Sequence, residues 1–489
     1  LTNIQLQDLL PRCEFPSELG MTSVRDLTLD SRKVKEGSVF VALKGAYLNR
    51  SQFIDSAFDL GAVAVLIELD KGNKAVASLD NQNRLIVALP NLRASLGQIA
   101  ARFFSEPSSE LVLVGITGTN GKTSCADLLV QLWRASGITA ASIGTLGVSY
   151  EAGTYQHTGL TTLDVIENQR VLRELVDKGV THVAMEVSSH GIDQRRIDGL
   201  TFSATVLTNI SRDHLDYHGT MKRYAETKLS FLESNSCVSV INIDNVGVKR
   251  WLNSGNIASL LTFGRNAEAV VRIVSEEYKA DGIDVELDSP WGDFALKLSL
   301  VGQHNLYNFV AVFSIIGSLD SNLMGSGISA AAENIHAPPG RLELIRGLKT
   351  VYVDYAHTPD ALENILSALS AHCKNKLILV FGCGGDRDQG KRPLMAKVAE
   401  KYANVVFLTT DNPRSESPQN IIDQVISGFG KPDEVRIVLD RASAIKSAVE
   451  LAGNDDVVLI AGKGHENYQE IKGVKHPFSD ADEVRRLIA

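Results

Sequence analysis

No run of about 18 consecutive apolar residues occurs in the chain, so no membrane-spanning helix is expected. The opening stretch, LTNIQLQDLLPRCEF, lacks a basic segment leading into an apolar core and does not read as a signal peptide. Cysteine is sparse. The five present (Cys13, Cys125, Cys237, Cys373 and Cys383) include no C-x-x-C pair, and an odd, scattered set reads as reduced thiols in a cytoplasmic protein. An excess of basic residues is missing too: 49 Lys and Arg stand against 58 Asp and Glu, a formal charge of −9, which argues against a nucleic-acid partner. There is no internal repeat and no low-complexity tract. A dinucleotide fingerprint is also absent, because GCGGDRD at 382–388 lacks the G-x-G-x-x-G spacing; this counts against a dehydrogenase.

What is present is an ordinary globular composition, 44% apolar and 22% charged over 489 residues, enough for about two to four domains. Breaks at SEPSSE and HAPPG divide it into residues 1–108, 109–338 and 339–489. In each part, short Val-, Ile- and Leu-rich runs alternate with helical stretches. The first has GSVFVAL, AVAVLIE and RLIVALP; the second has LVLVGITG, THVAMEVSS, FSATVLTNIS and CVSVINID. The third has KTVYVDYAH, KLILVFGCGG, NVVFLTTDNP, EVRIVLD and VVLIAGKGH. Such runs, buried on both faces and joined by helices, predict parallel doubly wound sheets, so the expected fold class is α/β with three domains. Ligands collect at the carboxyl ends of strands in such sheets. GTNGKTS, EVSSH, NISRDHLDYH, DYAHTPD, GCGGDRD, TTDNPR and GKGHE all fall there.

The stretch GITGTNGKTS, Gly115 to Ser124, departs from the usual phosphate-loop spelling, since Ile116 stands where the first glycine would be. Its chemistry is nonetheless that of such a loop. Gly118, Thr119, Asn120 and Gly121 let backbone N–H groups approach phosphate oxygens, and the helix that follows adds its dipole. Lys122 can reach the β- and γ-phosphates, the Thr123 hydroxyl can ligate Mg²⁺, and Ser124 continues the helix start. The expected ligand is ATP. Glu186 ends a buried strand, where a carboxylate must be paired or metal-bound: a magnesium ligand or a structural ion pair. Asp213, His214, Asp216 and His218 form either a metal-binding or a capped, solvated loop, and His190 reads as incidental. Lys228, on a predicted helix, reads as a surface lysine.

GTNGKTS, MEVSSHG, TNISRDHLDYHG, HNLYN at 304–308, Gly340-Arg341, VDYAHTPDAL, FGCGGDRDQGKRPLM, DNPR and AGKGHE occur in one order. Together they resemble the Mur ligases of bacterial wall synthesis, from TLDSR near residue 30 to GKGHE near 466. The resemblance implies a UDP-substrate-binding N-terminal domain, a central P-loop ATPase domain and a Rossmann-like, amino-acid-binding C-terminal domain. It implies phosphorylation of a D-Glu γ-carboxylate by ATP, attack by the amine of an incoming amino acid, and loss of phosphate. The implied substrates are UDP-MurNAc-L-Ala-D-Glu and meso-diaminopimelate, handled by a monomer in the bacterial cytoplasm.

By the same resemblance, Lys122, Glu186, His214 and a carbamylated Lys228 are catalytic. Thr123, Glu186, His214 and Lys228 hold Mg²⁺. Asn305, Asn308, Arg341 and Asp354 bind ATP, although HNLYN also reads as a plain helix start. Leu29, Ser31, Ala46, Tyr47, Leu48, Thr161, Thr162, Ser188, Gln194 and Arg196 meet the UDP-linked substrate. TLDSR reads equally as a capped turn, and the AYLNRSQF loop and Leu160 depart from the family pattern. Arg392, Asp411, Asn412, Pro413, Arg414, Gly462 and Glu466 meet the amino acid. Arg414 favours diaminopimelate over lysine, since a guanidinium takes a carboxylate bidentately. The competing readings are a folylpolyglutamate synthetase-like ligase, against which the N-terminal domain with TLDSR and the DNPR motif argue, and a P-loop switch without ligase activity, in which DYAHTP, DNPR and GKGHE have no task.

Overall fold

The computed structural model describes residues 4–488 except 17, 44–52, 70–73, 152, 236, 253–256, 280–281 and 346. Two compact units emerge: residues 1–122, 137–241 and 245–260 form one, and residues 123–136, 242–244 and 261–489 the other.

Every strand-like run singled out in the sequence forms a strand. In the first unit a five-stranded sheet has the order Asp26–Thr28, Ser38–Ala42, Ala62–Leu69, Leu85–Pro90, Val76–Leu79, parallel except for the last pair. Helix Leu92–Phe103 covers it with Leu92, Leu96, Ile99 and Phe103, the spacing of one helical face. A second sheet of this unit places Val112–Thr117 between His182–Glu186 and Ala204–Leu207, all parallel. Glycine-rich loop, Glu186 and the NIS run therefore leave one sheet edge on adjacent strands.

In the second unit a six-stranded sheet has the order Glu343–Ile345, Thr350–Asp354, Val457–Ala461, Leu377–Phe381, Val405–Leu408, Arg436–Ile437. Only its first pair is antiparallel. DYAH, GKGHE, GCGG and DNPR thus follow four neighbouring strands.

One part of this unit departs from the parallel expectation. Val271–Lys279, Gly282–Ser289 and Gly292–Leu298 form an antiparallel meander. Ile283, Val285 and Leu287 point inward while Asp284, Glu286 and Asp288 alternate with them, the period-two pattern of a sheet with one wet face. A continuous apolar run is the mark of a fully buried strand, and it is missing here.

Among the described residues no helix is long and apolar enough to cross a membrane. All five cysteines are free.

The second unit also contains a fully buried ion pair. Arg441 Nε and Nη2 each donate to Asp480 at 2.7 Å, both side chains being 0% exposed, and Nη2 also reaches the Ala461 carbonyl. Asp480→Ala would strand a guanidinium that cannot shed its proton. Loss of about 3–5 kcal/mol of stability is expected. An unfolding free energy from urea titration within about 1 kcal/mol of the parent would show that water or a neighbour replaces the carboxylate.

Candidate functional site

The loop after strand Val112–Thr117 turns on Gly118 (φ +148°) and Gly121 (φ +86°). A Cβ at Gly118 would lie 1.9 Å from Thr208 Oγ1, so glycine is required there. Helix Lys122–Ala135 begins at once, and Lys122 Nζ curls back to donate to the Gly118 and Thr119 carbonyls at 2.8 and 2.9 Å. The loop is held from the neighbouring strand end. Thr119 N–H donates to Asn209 O, Asn120 N–H to Asn209 Oδ1, and Thr208 Oγ1 to Asn120 O at 2.6 Å. Tyr224 OH meets Thr119 Oγ1 at 3.1 Å. Thr208 and Asn209 open the TNISRDHLDYHG run but had no role assigned by sequence, and Tyr224 had no signal at all.

Glu186 is 2% exposed, its Oε1 accepting from Thr145 N–H at 2.9 Å and its Oε2 from Thr145 Oγ1 at 3.1 Å. Gly144 makes room for it: a Cβ there would sit 2.1 Å from Oε1. Polar residues of LTTLD and SSHGIDQRR gather at the end of this strand. Thr161 Oγ1 meets Thr145 Oγ1 at 3.1 Å, and Thr162 Oγ1 donates to Glu186 O at 2.9 Å. Ser188 caps the short helix Ser189–Asp193. Arg196 donates to Thr162 O at 2.7 Å and holds Gln194 Oε1 with two N–H groups.

TLDSR is the capped turn its spelling predicts, Asp30 accepting from Arg32 N–H at the start of Ser31–Lys33. It lies against helix Val165–Asp177, where Arg170 donates to Leu27 O and pairs with Asp26. Lys33 at the end of the turn lies 3.5 Å from Glu167 of the same helix, so the chain meets that helix on either side of Leu29 and Ser31. A cavity of about 370 Å³ opens beside this junction, lined in part by Lys33, Leu160, Asp164 and Glu167. Ala46, Tyr47 and Leu48 lie outside the described residues.

His214 has φ +51°, and its Nε2 lies 3.4 Å from Asp213 Oδ2. His190, read as incidental, packs edge-on against it with ring centroids 4.9 Å apart and contacts Tyr217 and His218. His218 is buried and bonded to Ser189 Oγ at 3.0 Å; burial, with His190 beside it, pushes its pKa down. The HLDYH run is therefore packed at His218 and open at His214.

Lys228 corrects the surface-lysine reading. It is 1% exposed, with Nζ donating to Gly118 O at 2.9 Å and 3.4 Å from Thr117 Oγ1. Burial, then Lys122, drive its pKa well below that of a free lysine. Helical periodicity placed it on a helix, and its direction inward was beyond that signal: Tyr224, Ala225, Leu229 and Phe231 share the buried side.

In the second unit HNLYN opens helix Gln303–Leu319, as its helix-start reading predicts. Asn305 Nδ2 donates to Val301 O, and Asn308 Oδ1 accepts from Cys125 Sγ of the phosphate-loop helix at 3.5 Å. Asp354 accepts from Leu342 and Ala356 N–H; burial nevertheless raises its pKa to about 6, against the pull of Arg341. Arg341 lies over the Tyr355 ring.

Asp411 and Asn412 are buried after strand Val405–Leu408. Arg414 sits at φ +50°, which costs a non-glycine residue about 1–2 kcal/mol. Hairpin Tyr468–Ile471/Val474–Pro477 holds it there: Arg414 N–H donates to Glu470 O, and Lys472 N–H to Arg414 O. Its Nη1 donates to Gly385 O at 2.8 Å, and its Nε lies 3.4 Å from Glu470 Oε2. Arg392, fully buried, grips Glu416 with both Nη atoms at 2.9 Å and also bonds Gln424 and Gly384 O. Gly462 has φ +121°, and Glu466 bonds Asn412 Nδ2.

Among the described residues no group of three or more His, Cys, Asp or Glu side chains converges to hold a metal. The expected magnesium ligands include only two of these types, Glu186 and His214. A buried, pre-oriented carboxylate and a threonine hydroxyl at the helix start are hard oxygen donors, the kind Mg²⁺ takes.

Comparison with known proteins decides the family. The Mur ligase family catalytic domain matches residues 23–104, the Mur ligase middle domain 116–316, and the Mur ligase glutamate ligase domain 340–464. The chain belongs to the Mur ligase family. This Mur ligase is 39% identical over 475 residues to the UDP-N-acetylmuramoyl-L-alanyl-D-glutamate–2,6-diaminopimelate ligase of Coxiella burnetii, covering 95% of this chain and 96% of that one. Against the protein of the same name from Xylella fastidiosa the identity is 41% over 498 residues, with 100% and 98% covered. A solved structure of a ligase of that name superposes with a TM-score of 0.74 at 35% identity, covering 100% of this chain and 99% of that one.

Proposed function

We propose that this chain is an ATP-dependent amide ligase that joins meso-2,6-diaminopimelate to UDP-MurNAc-L-Ala-D-Glu in the bacterial cytoplasm, working as a monomer. Residues 1–108 bind the UDP-linked substrate, 109–338 bind ATP, and 339–489 bind the amino acid. The observation that carries the reading is full-length similarity to ligases of that name, joined to a phosphate loop whose lysine and neighbouring buried carboxylate are already in place. A P-loop switch would leave DYAH, DNPR and GKGHE without a task.

The chemistry follows from the poor acyl-donor character of a carboxylate. A D-Glu γ-carboxylate oxygen attacks the γ-phosphorus of ATP, and the bond to the ADP oxygen breaks. The amine of diaminopimelate then attacks the acyl carbon, the bond to phosphate breaks, and the amine gives up a proton. Two anions must meet in the first step. Loop N–H groups from Gly121 to Ser124 and the Lys122 ammonium offset that charge, while the Thr119 and Asn120 N–H groups are spent on Asn209 and hold the loop in shape. Thr123, Glu186, His214 and a carbamylated Lys228 are the residues that would hold Mg²⁺, which when bound neutralises the transferring phosphoryl oxygens. Asn305, Asn308, Arg341 and Asp354 bind the nucleotide. Leu29, Ser31, Thr161, Thr162, Ser188, Gln194 and Arg196 orient the UDP-linked substrate, and Ala46, Tyr47 and Leu48 stay assigned there on resemblance. Arg392, Asp411 to Arg414, Gly462 and Glu466 serve the amino acid.

Lys228 fits the carbamate assignment physically. A buried amine held below its usual pKa is uncharged more often, and the neutral amine is the form that adds CO₂. Lys228→Ala is expected to lose about a hundred-fold or more in turnover, with partial rescue by short carboxylic acids. A bare ammonium in an active, nucleotide-bound crystal would count against it.

The direct test of function is phosphate release from ATP with UDP-MurNAc-L-Ala-D-Glu and a panel of amino acids. Release that requires diaminopimelate is expected. Release independent of any amino acid would refute ligation.

A further inference from the structure

Lys463, in the middle of GKGHE, is the residue on which the ends of two strands converge. Resemblance assigned Gly462 and Glu466 of this motif and passed over the lysine between them. Gly462 (φ +121°) and Gly464 (φ +53°) flank it, and neither can be replaced cheaply: a Cβ on Gly464 would lie 2.7 Å from Gly340 O and from Tyr355 Cβ. Two backbone turns that glycine permits send the lysine inward, and its side chain is 0% exposed.

An ammonium taken fully out of water is tolerated only when paired and hydrogen-bonded. Lys463 Nζ donates to Glu466 Oε2 at 2.8 Å and to Asn412 Oδ1 at 3.1 Å, and lies 3.8 Å from Asp411 Oδ1. Asn412 Nδ2 donates to the same Glu466 Oε2 at 2.8 Å, while its Oδ1 also accepts from Glu470 N–H. The lysine thus ties the loop after Val457–Ala461 to the loop after Val405–Leu408. Three consequences follow. The Asn412 amide is fixed in one orientation, since its oxygen faces two donors. Both donors to Glu466 converge on Oε2, which leaves Oε1 without a protein partner among the described residues. The buried Asp411 carboxylate, whose Oδ1 has no hydrogen-bond partner, keeps a cation nearby.

We propose that Lys463 is a positioning residue for the amino-acid substrate, acting through Glu466 and Asn412. It holds Glu466 with one oxygen occupied and the other presented to the substrate ammonium, while Arg414 faces a substrate carboxylate. This rests on the proposed ligase reading and names a residue that reading does not use.

The test compares Lys463→Met, nearly isosteric but without charge or donors, with the parent in the phosphate-release assay. KM for diaminopimelate is expected to rise about 30-fold or more, the effect of removing one partner of a buried hydrogen-bonded charge pair. KM for ATP should stay within about twofold, because the lysine touches no nucleotide-binding residue. A double-mutant cycle with Glu466→Gln separates positioning from bulk stability. If Lys463 acts through that carboxylate, adding Lys463→Met to Glu466→Gln should cost far less than it does alone. An unchanged diaminopimelate KM, additive effects, or an equal rise in both KM values would overturn the proposal. Should Lys463→Met not fold, Lys463→Gln keeps an amide donor and should show the same KM split, smaller in size; if neither folds, the role is purely structural and the proposal falls. Failure of the parent to use diaminopimelate is a separate result, and it would refute the ligase reading itself.

Discussion

Glu186→Ala is expected to lower ATP-dependent ligation by about 10²- to 10³-fold or more while leaving the fold intact, and Lys122→Ala to do the same. The two residues leave adjacent parallel strands of one sheet and offset charge in different ways. Lys122 lies against the Gly118 and Thr119 carbonyls, which fixes its ammonium over the loop. Little reorganisation is left for the moment of transfer, and a group fixed in advance contributes most there. Glu186 is held through both oxygens by one residue, Thr145, in a space that Gly144 keeps clear. Removing its carboxylate leaves the half-buried Thr145 N–H without that acceptor, a cost of about 0.5–1.5 kcal/mol in stability. Activity must therefore be compared on protein shown to be folded by circular dichroism. Near-normal turnover by either folded variant would overturn the site assignment.

The parallel sheets were legible because a strand buried on both faces has to be apolar throughout. Val457–Ala461 and Leu377–Phe381 announce themselves in this way. The 271–298 meander was less visible, since its alternating pattern is diluted by charged residues on the wet face. At the site, the phosphate loop could be read from glycines and a following Lys-Thr, whose roles depend on backbone conformation and local order. Lys228, Lys463 and Tyr224 could not be read that way. Each is a polar side chain turned inward on an element whose own sequence does not say which way it faces, and each is fixed by a partner far along the chain: Gly118, Asn412 and Thr119 respectively. Lys228 entered the site through family resemblance; Lys463 and Tyr224 entered through geometry alone. His190 shows the same limit, since its packing on His214 joins the short helix Ser189–Asp193 to a loop that sequence separation keeps apart from it.

Amino-acid choice is the remaining large effect, and it is expected to rest on Arg414. Its backbone is locked in a left-handed turn by the 468–477 hairpin, and its Nη1 and Nε are engaged by Gly385 O and Glu470. Nη2 has no protein partner among the described residues, so the end of the guanidinium keeps hydrogens for a carboxylate. Meso-diaminopimelate carries a distal carboxylate that L-lysine lacks. Lysine would instead bring an ammonium toward a guanidinium, adding repulsion to the lost attraction. Losing one partner of a buried charged contact costs about 2–5 kcal/mol, so Arg414→Ala should weaken use of diaminopimelate by about 30- to several-thousand-fold. The pairing with Glu470 makes the size of the effect informative. Glu470 tempers the guanidinium's charge while holding it in place, so Glu470→Gln should change kcat/KM for diaminopimelate far less than Arg414→Ala does. ATP affinity should change little in both variants, because Asn305, Asn308, Arg341 and Asp354 make no hydrogen bond to this turn. Steady-state kinetics with both amino acids decide the matter. Efficient use of lysine by the parent, or an Arg414→Ala variant that still strongly prefers diaminopimelate, would place selection elsewhere in the domain.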